Sequence, residues 1–183
     1  DLLIQCAESD KRIGIVGPLS NTASWQSVPK VFNDNSDWDD NPLPDEWVVK
    51  DFSNEVARAS RRIYPRVGFV NGFCFMIRRE LIKEIGIFDE VAFARGYGEE
   101  NDYCLRAAES GWQLAIADDC YIYHYQSKSY SHETRAELSS LAGKALADKY
   151  GQGLIDARLD ITKNHPALGY MRKRCENVFS LRQ

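Results

Sequence analysis

The stretch Gly98-Glu99-Glu100-Asn101-Asp102 brings three carboxylates to the start of a helical segment. Acids in the first turn of a helix complement its macrodipole, and Asp102 can pair with Arg106 one turn on. The same position also suits a general base, a carboxylate facing a cleft from a helix start. Crowding among the acids favours holding a proton and the helix N-terminus opposes it, so the sequence leaves the balance open. His124 is the second candidate. It ends a strand-like run, where a lone histidine is more often structural than a ligand, and no His or Cys stands at ligand spacing nearby. His132, in a polar stretch, and His165, before Pro166, have no link to chemistry. The cysteines Cys6, Cys74, Cys104, Cys120 and Cys175 are odd in number, far apart and free of any CxxC pair. That pattern argues against a zinc knuckle or a disulfide scaffold and suits a reducing compartment. There is no GxSxG elbow, P-loop, HExxH or GxGxxG.

The elements that must position these groups follow from the rest of the chain. It has 183 residues, 44% hydrophobic and 27% charged, enough for one domain with a sizeable core. A net charge of -4, without alternating basic and aromatic residues, gives no nucleic-acid platform. No apolar run is long enough to span a membrane, and no signal-like sequence opens the chain. Leu2, Leu3, Ile4, Cys6 and Ala7 read as the back half of a helix, which makes the chain look like a piece of a longer protein. The apolar run 13–17, closed by Pro18, suits a buried parallel strand. A polar loop follows over 19–45, whose aromatic residues Trp25, Phe32 and Trp38 suggest docking on something.

Helical spacing over 46–63 puts Trp47, Val48, Phe52, Val56, Ala59 and Ile63 on one face, with Pro65 ending the helix. Residues 67–77 are the most strand-like segment. Within it Asn71-Gly72 is either a hairpin turn or a strand-interior glycine that something approaches closely. A short helix over 79–84 stops at Gly86. A glycine-bearing loop, 94–98, precedes a helix over 99–110 closed by Gly111. Strands are expected at 112–117 and 120–125, separated by Asp118-Asp119. The remainder is helical: a stripe of Leu138, Leu141, Ala142, Ala145 and Leu146, a weaker Leu154, Ile155, Ala157 and Ile161, and a third helix from Pro166 carrying Leu168, Met171, Cys175, Val178 and Phe179. The third stripe is expected to pack on the chain itself, although a second copy or absent residues would also cover it. The change in character near residue 130 divides an α/β part, 1–130, from a helical extension, 131–183.

The order of these pieces resembles the second half of the catalytic domain of family 2 glycosyltransferases, which have the GT-A fold. Four segments carry the resemblance: Val70-Asn-Gly-Phe-Cys-Phe-Met-Ile-Arg-Arg-Glu80, Ile85-Gly-Ile-Phe-Asp-Glu90, Gly96-Tyr-Gly-Glu-Glu-Asn-Asp-Tyr-Cys-Leu-Arg106 and Ala115-Ile-Ala-Asp-Asp-Cys-Tyr-Ile-Tyr-His124. Each is weak alone; four in this order are specific. The run from Ile13 to Asn21 also resembles the strand that follows the donor-binding half. The resemblance implies an α/β fold, a mixed sheet from 13–17, 67–77 and 112–124 with flanking helices and a helical tail. It implies an inverting enzyme that moves a sugar from a nucleotide-diphosphate sugar to an acceptor hydroxyl.

On this resemblance Glu100 is the base, where the family usually has Asp, and Glu99 is its understudy. Gly72, Phe73, Gly98 and Asp102 are substrate contacts and His124 is a metal ligand. The cofactor implied is a divalent metal, Mn2+ or Mg2+, held by a DxD motif upstream of residue 1. Asp37-Trp38-Asp39 has the letters but lies in the polar loop and is discounted. The partners implied are the nucleotide-sugar donor, a glycan or lipid-linked acceptor and the N-terminal nucleotide-binding half of the same polypeptide. Peripheral contact with the inner membrane face from the cytoplasm, and a homo-oligomer, are compatible with it; nucleic acid is not a partner. The chain alone would not transfer sugar. The rival from another class is a noncatalytic carbohydrate-binding or assembly module on the same fold. A nucleotidyltransferase with a related sheet would need a glycine-rich phosphate loop, which the sequence lacks.

Overall fold

The computed structural model describes residues 1–45, 47–93, 97–125 and 132–180, with the backbone alone for 132–136. At its centre, strands β1 (Ile13–Leu19) and β4 (Gln113–Tyr121) run parallel, Val16 opposite Ala115 and Gly17 opposite Ile116. Both sheet faces are covered, so β1 is an apolar run with every residue buried, and β4 is buried from Leu114 to Asp119. Two short edge strands, β2 (Arg66–Val67) and β3 (Met76–Ile77), pair antiparallel with β4 and β1, giving the order β2-β4-β1-β3. The sheet is therefore mixed, flanked by helices and followed by a helical tail, consistent with part of a GT-A fold.

Alternation along the strands sends side chains to two layers. On one face Ile15, Leu19, Leu114 and Ile116 pack with Phe52 and Val56 of α2 (Val49–Ala59), Tyr103 and Ala107 of α4 (Glu99–Glu109), and Leu168, Met171 and Cys175 of α7 (Pro166–Ser180). On the other, Ile13, Val16, Ala115 and Ala117 meet Cys6 and Ala7 of α1 (Leu2–Glu8). The stripe of the third tail helix thus closes on the chain's own core. A smaller cluster of Phe93, Leu105 and Leu146 joins α4 to α5 (His132–Tyr150). Among the described residues no helix is long and apolar enough to cross a membrane.

Several local expectations change. Helix α2 stops at Ala59, short of Pro65, because Ser60 turns extended and its hydroxyl donates to Asp118 at 2.8 Å. Val48 and Ile63 are therefore exposed, off the buried face. The segment 67–77 is not one strand. Its two ends pair on opposite edges of the sheet, so the chain between them crosses from edge to edge and finds other hydrogen-bond partners. Gly68 and Phe69 N–H groups donate to the Thr162 hydroxyl of α6 (Gln152–Lys163) at 2.9 and 3.2 Å. Strand β4 runs unbroken through Asp118 and Asp119, both buried. Asp118 accepts from Ser60 and from the Tyr64 N–H, and Asp119 pairs with Arg62 at 3.0 Å. In the tail, Leu141, Leu154 and Ile161 are exposed and Thr162 is the buried residue of α6. The short helix α3 (Arg79–Ile85) ends at Gly86 as expected. Residues 94–96 and the boundary near residue 130 lie outside the described residues.

The tail and the α/β part meet so closely at Gly68 that an added Cβ would lie 2.0 Å from the backbone oxygen of Arg158. Gly68→Ala is expected to cost at least about 2 kcal/mol, as overpacking against backbone does. Gly143→Ala, in α5 with nothing within 4 Å, should instead raise stability by about 0.5–1 kcal/mol. Thermal melts of both variants check the pair; equal shifts would contradict this packing of α6.

Candidate active site

The start of α4 is built on Gly98, which caps the helix at φ +93°, a left-handed conformation that favours glycine. A Cβ there would sit 2.9 Å from the Ala142 Cβ and 3.0 Å from the Phe93 ring. Gly98 is buried in this joint and sets the direction in which Glu99 and Glu100 leave the backbone. One turn on, Asp102 points the opposite way. It has no exposed surface, and both oxygens are engaged: Oδ2 by Arg106 at 2.8 Å, Oδ1 by Lys149 at 2.7 Å and by the Tyr150 hydroxyl at 2.6 Å. Burial alone would raise its pKa. The hydrogen bonds from Lys149, Tyr150 and Arg106 outweigh that and hold it below the usual carboxylate range. Tyr150 is pushed up to about 12 by burial and by the Asp102 charge.

The same groups hold the loop after α3. Arg106 donates to the Ile85 and Ile87 carbonyls at 2.9 and 2.8 Å, and Tyr103 donates to Gly86 at 2.9 Å. Lys149 reaches Asp89 at 3.1 Å, while Asp89 caps the N–H groups of Val91 and Ala92. The two motifs around Phe88 and Glu100 are thus one interlocked unit, and the tail completes it.

In front of this unit lies a cleft of about 750 Å³. Phe75, Ile77, Phe88 and Phe93 give it an apolar wall; Asp89, Glu90, Glu99 and Glu100 give it acids; Gly72 lines it too. The Glu100 side chain lies over Gly72, where a Cβ would meet its Cγ at 3.3 Å and its Cδ at 3.4 Å. The contest left open by the sequence is decided here. Burial raises the pKa of Glu100 and the Glu99 charge adds to it, while the backbone N–H groups at the start of α4 oppose it and lose. Glu99 keeps one oxygen, Oε2, buried without a hydrogen-bond partner.

The turn after Gly72 leads to the last candidate. The Phe73 ring stacks on His124, centroids 5.0 Å apart and planes 23° apart. His124 is fixed by Asn21, whose Oδ1 accepts its N–H at 2.7 Å, and by a 3.0 Å bond between its Nδ1 and the Thr22 carbonyl. A carbonyl can only accept, so Nδ1 carries a proton, and in the neutral ring the lone pair is on Nε2. That tautomer suits a metal ligand. Among the described residues no three His, Cys, Asp or Glu side chains gather as a metal cage.

Of the residues singled out in the sequence, Glu100, Glu99 and Gly72 line the cleft. Phe73 and His124 sit beside it through the turn at Gly72. Gly98 and Asp102 stand behind, in the frame rather than on the cleft surface. The sequence reading missed the cleft wall, although Phe75 and Phe88 lay within the quoted motifs. It also missed Lys149 and Tyr150, which no spacing rule connects to residue 102.

The chain is 25% identical over 152 residues, 76% of its length and 46% of theirs, to N-acetylglucosaminyl-diphospho-decaprenol L-rhamnosyltransferases from two strains of Mycobacterium tuberculosis. It spans about half the length of these curated relatives. No family model and no solved structure matches it. The chain is thus a distant relative of a glycosyltransferase.

The frame can be tested through Asp102. Its lowered pKa means that its contribution to stability is complete above the ordinary Asp value of 3.8 and is lost as pH falls through the lower folded value. Asp102→Asn should cost about 3 kcal/mol at neutral pH, the low end for breaking a buried ion pair, because Lys149 and Arg106 can turn toward water. Between about pH 5 and pH 2 the variant should lose less stability than the wild type. Parallel stability curves for the two proteins would contradict this assignment.

Proposed function

We propose that the chain is the acceptor-side part of an inverting glycosyltransferase in which Glu100 is the general base. The observation that carries the reading is a carboxylate with a raised pKa, desolvated over Gly72 at the edge of an apolar and acidic cleft. Such a group is poised between its two protonation states nearer neutrality than an ordinary glutamate. In the proposed step Glu100 takes the proton of the acceptor hydroxyl as that oxygen bonds to the anomeric carbon. The bond from that carbon to phosphate breaks on the opposite side, and the nucleoside diphosphate leaves.

Gly72 leaves room for the acceptor against the Glu100 side chain. Phe73 and the Thr22 carbonyl hold the His124 ring in place. His124 would offer Nε2 to a divalent metal, Mn2+ or Mg2+, which when bound stabilises the charge on the leaving diphosphate. The donor pocket and the rest of the metal site belong, in this proposal, to a nucleotide-binding half outside these residues. Residues 1–130 and 131–183 then form the acceptor side and a helical extension that braces α4. The distant relatives are named for transfer of L-rhamnose to a lipid-linked sugar, N-acetylglucosaminyl-diphospho-decaprenol. A glycan or lipid-linked acceptor, met from the cytoplasm at the inner membrane face, fits the same reading.

In the full-length enzyme Glu100→Gln should lower turnover on the order of 10²–10⁴ while leaving donor affinity unchanged. A base must be deprotonated, so activity should fall on the acid side through a value above the ordinary 4.5. Glu99→Gln removes the charge that helps raise Glu100 and should move that acid limb to lower pH. Near-normal turnover of Glu100→Gln, or an acid limb that ignores Glu99→Gln, would remove Glu100 as the base.

A further inference from the structure

The loop between β1 and α2 displays two rings it has the means to hide. Phe32 and Trp38 face each other across an isolated antiparallel bridge, centroids 4.9 Å apart and planes 31° apart, yet are 41% and 49% exposed. Trp25 supports both edge-on, at 5.4 Å from each. Hydrogen bonds within the loop hold this arrangement. Asp39 donates to the Val31 carbonyl, and the Asn33 side chain accepts from the N–H groups of Asn35 and Asp37. Asn41, buried at 5% exposure, donates to the carbonyls of Asn21 and Lys30 and accepts the Lys30 N–H. From the tail, Lys163 lies over the Trp25 ring at 5.6 Å and Arg172 donates to its carbonyl. Rings held side by side in water by a rigid loop mark an interaction surface.

Charge and position say what the surface takes. Residues 20–45 carry one base, Lys30, against Asp34, Asp37, Asp39, Asp40 and Asp45. Anionic lipid headgroups and nucleic acid are repelled by such a loop. A hydrocarbon surface packed on this loop would desolvate its exposed acids, Asp34 and Asp37 among them. A neutral sugar suits both features: its C–H face lies on the electron-rich ring faces and its hydroxyls donate to the carboxylates. The loop is also tied to the turn at the cleft. Asn71 donates to the Ser24 hydroxyl at 3.1 Å and to Gln26 at 2.6 Å, and the next residue, Gly72, underlies Glu100. We infer that Phe32 and Trp38, backed by Trp25, form a platform for neutral saccharide units of a glycan acceptor, beyond the unit at Glu100. The inference rests on the glycosyltransferase reading for the acceptor, while its binding chemistry rests on the loop alone.

The test uses 15N-tryptophan-labelled protein titrated with maltotetraose, cellotetraose and chitotetraose, followed by the indole N–H resonances. At least one saccharide should shift Trp38 and Trp25. Its affinity should fall about tenfold in Trp38→Ala and in Phe32→Ala, about 1.4 kcal/mol each, and be largely kept in Trp38→Phe. Because each ring is about half exposed, the alanine variants should stay folded with at most a modest fall in melting temperature, which the same samples check. No shift with any of the three saccharides, or affinity indifferent to both alanine changes, overturns the platform. So does binding to phosphatidylcholine–phosphatidylglycerol vesicles that Trp38→Ala abolishes, since this would assign the rings to a lipid surface. Glu100-dependent transfer without Trp38-dependent binding sinks the platform alone; Trp38-dependent binding beside undiminished turnover of Glu100→Gln sinks the base alone.

Discussion

A carboxylate with no exposed surface is costly to bury unless its charge is neutralised and its lone pairs are filled, and Asp102 meets that requirement by drawing on three side chains from two helices. Arg106 comes from its own helix, one turn on. Lys149 and Tyr150 come from the last turn of α5, far along the chain. Arg106 and Lys149 spend their remaining donors on the loop after α3, so α4, that loop and the tail cannot shift independently. The first turn of α4 is braced from behind, and its free side is the cleft.

Two carboxylates separated by one residue then have opposite electrostatic fates. Asp102 is held ionised by three side-chain hydrogen bonds, while Glu100 is partly buried beside another acid and only backbone N–H groups oppose the rise. Environments that push neighbouring acids apart are how one site separates a structural anion from a proton acceptor. On the proposed function, the capping role and the base role are divided between members of the acid cluster. Asp102 is frame and Glu100 lines the cleft. Gly98 permits the division by turning the chain at a φ that favours glycine.

Much of this was legible in the sequence where a local rule decides structure. The apolar run of β1 needs cover on both faces and so reads as a buried parallel strand. Gly86 and Gly111 stop their helices at positive φ. The segment 67–77 misled because its composition is that of a strand, whereas its path is set by partners remote in sequence: Gln26 and Ser24 for Asn71, Thr162 for Gly68. Asp118 and Asp119 looked like a break between strands; they lie where the pairing of β1 with β4 jumps from Ala117 to Tyr121, in a strand that nonetheless continues. Arg62, Ser60 and the Tyr64 N–H, gathered by a left-handed bend after α2, make it possible. At the site, Glu100 and Gly72 were legible from their motifs. The Phe73–His124 stack and the Lys149–Asp102 contact were not, because contacts between distant residues leave no periodicity.

The proton affinity of Glu100 is the quantity on which the account turns. Carbon-13 NMR of the side-chain carboxyls, followed from acid to neutral pH with Glu100 assigned by comparison with Glu100→Gln, reads it directly. The account predicts a midpoint for Glu100 above the ordinary 4.5, moving down when Glu99 is replaced by Gln. A midpoint at or below 4.5 would show that the helix N-terminus outweighs burial, and Glu100 would be a capping acid like any other.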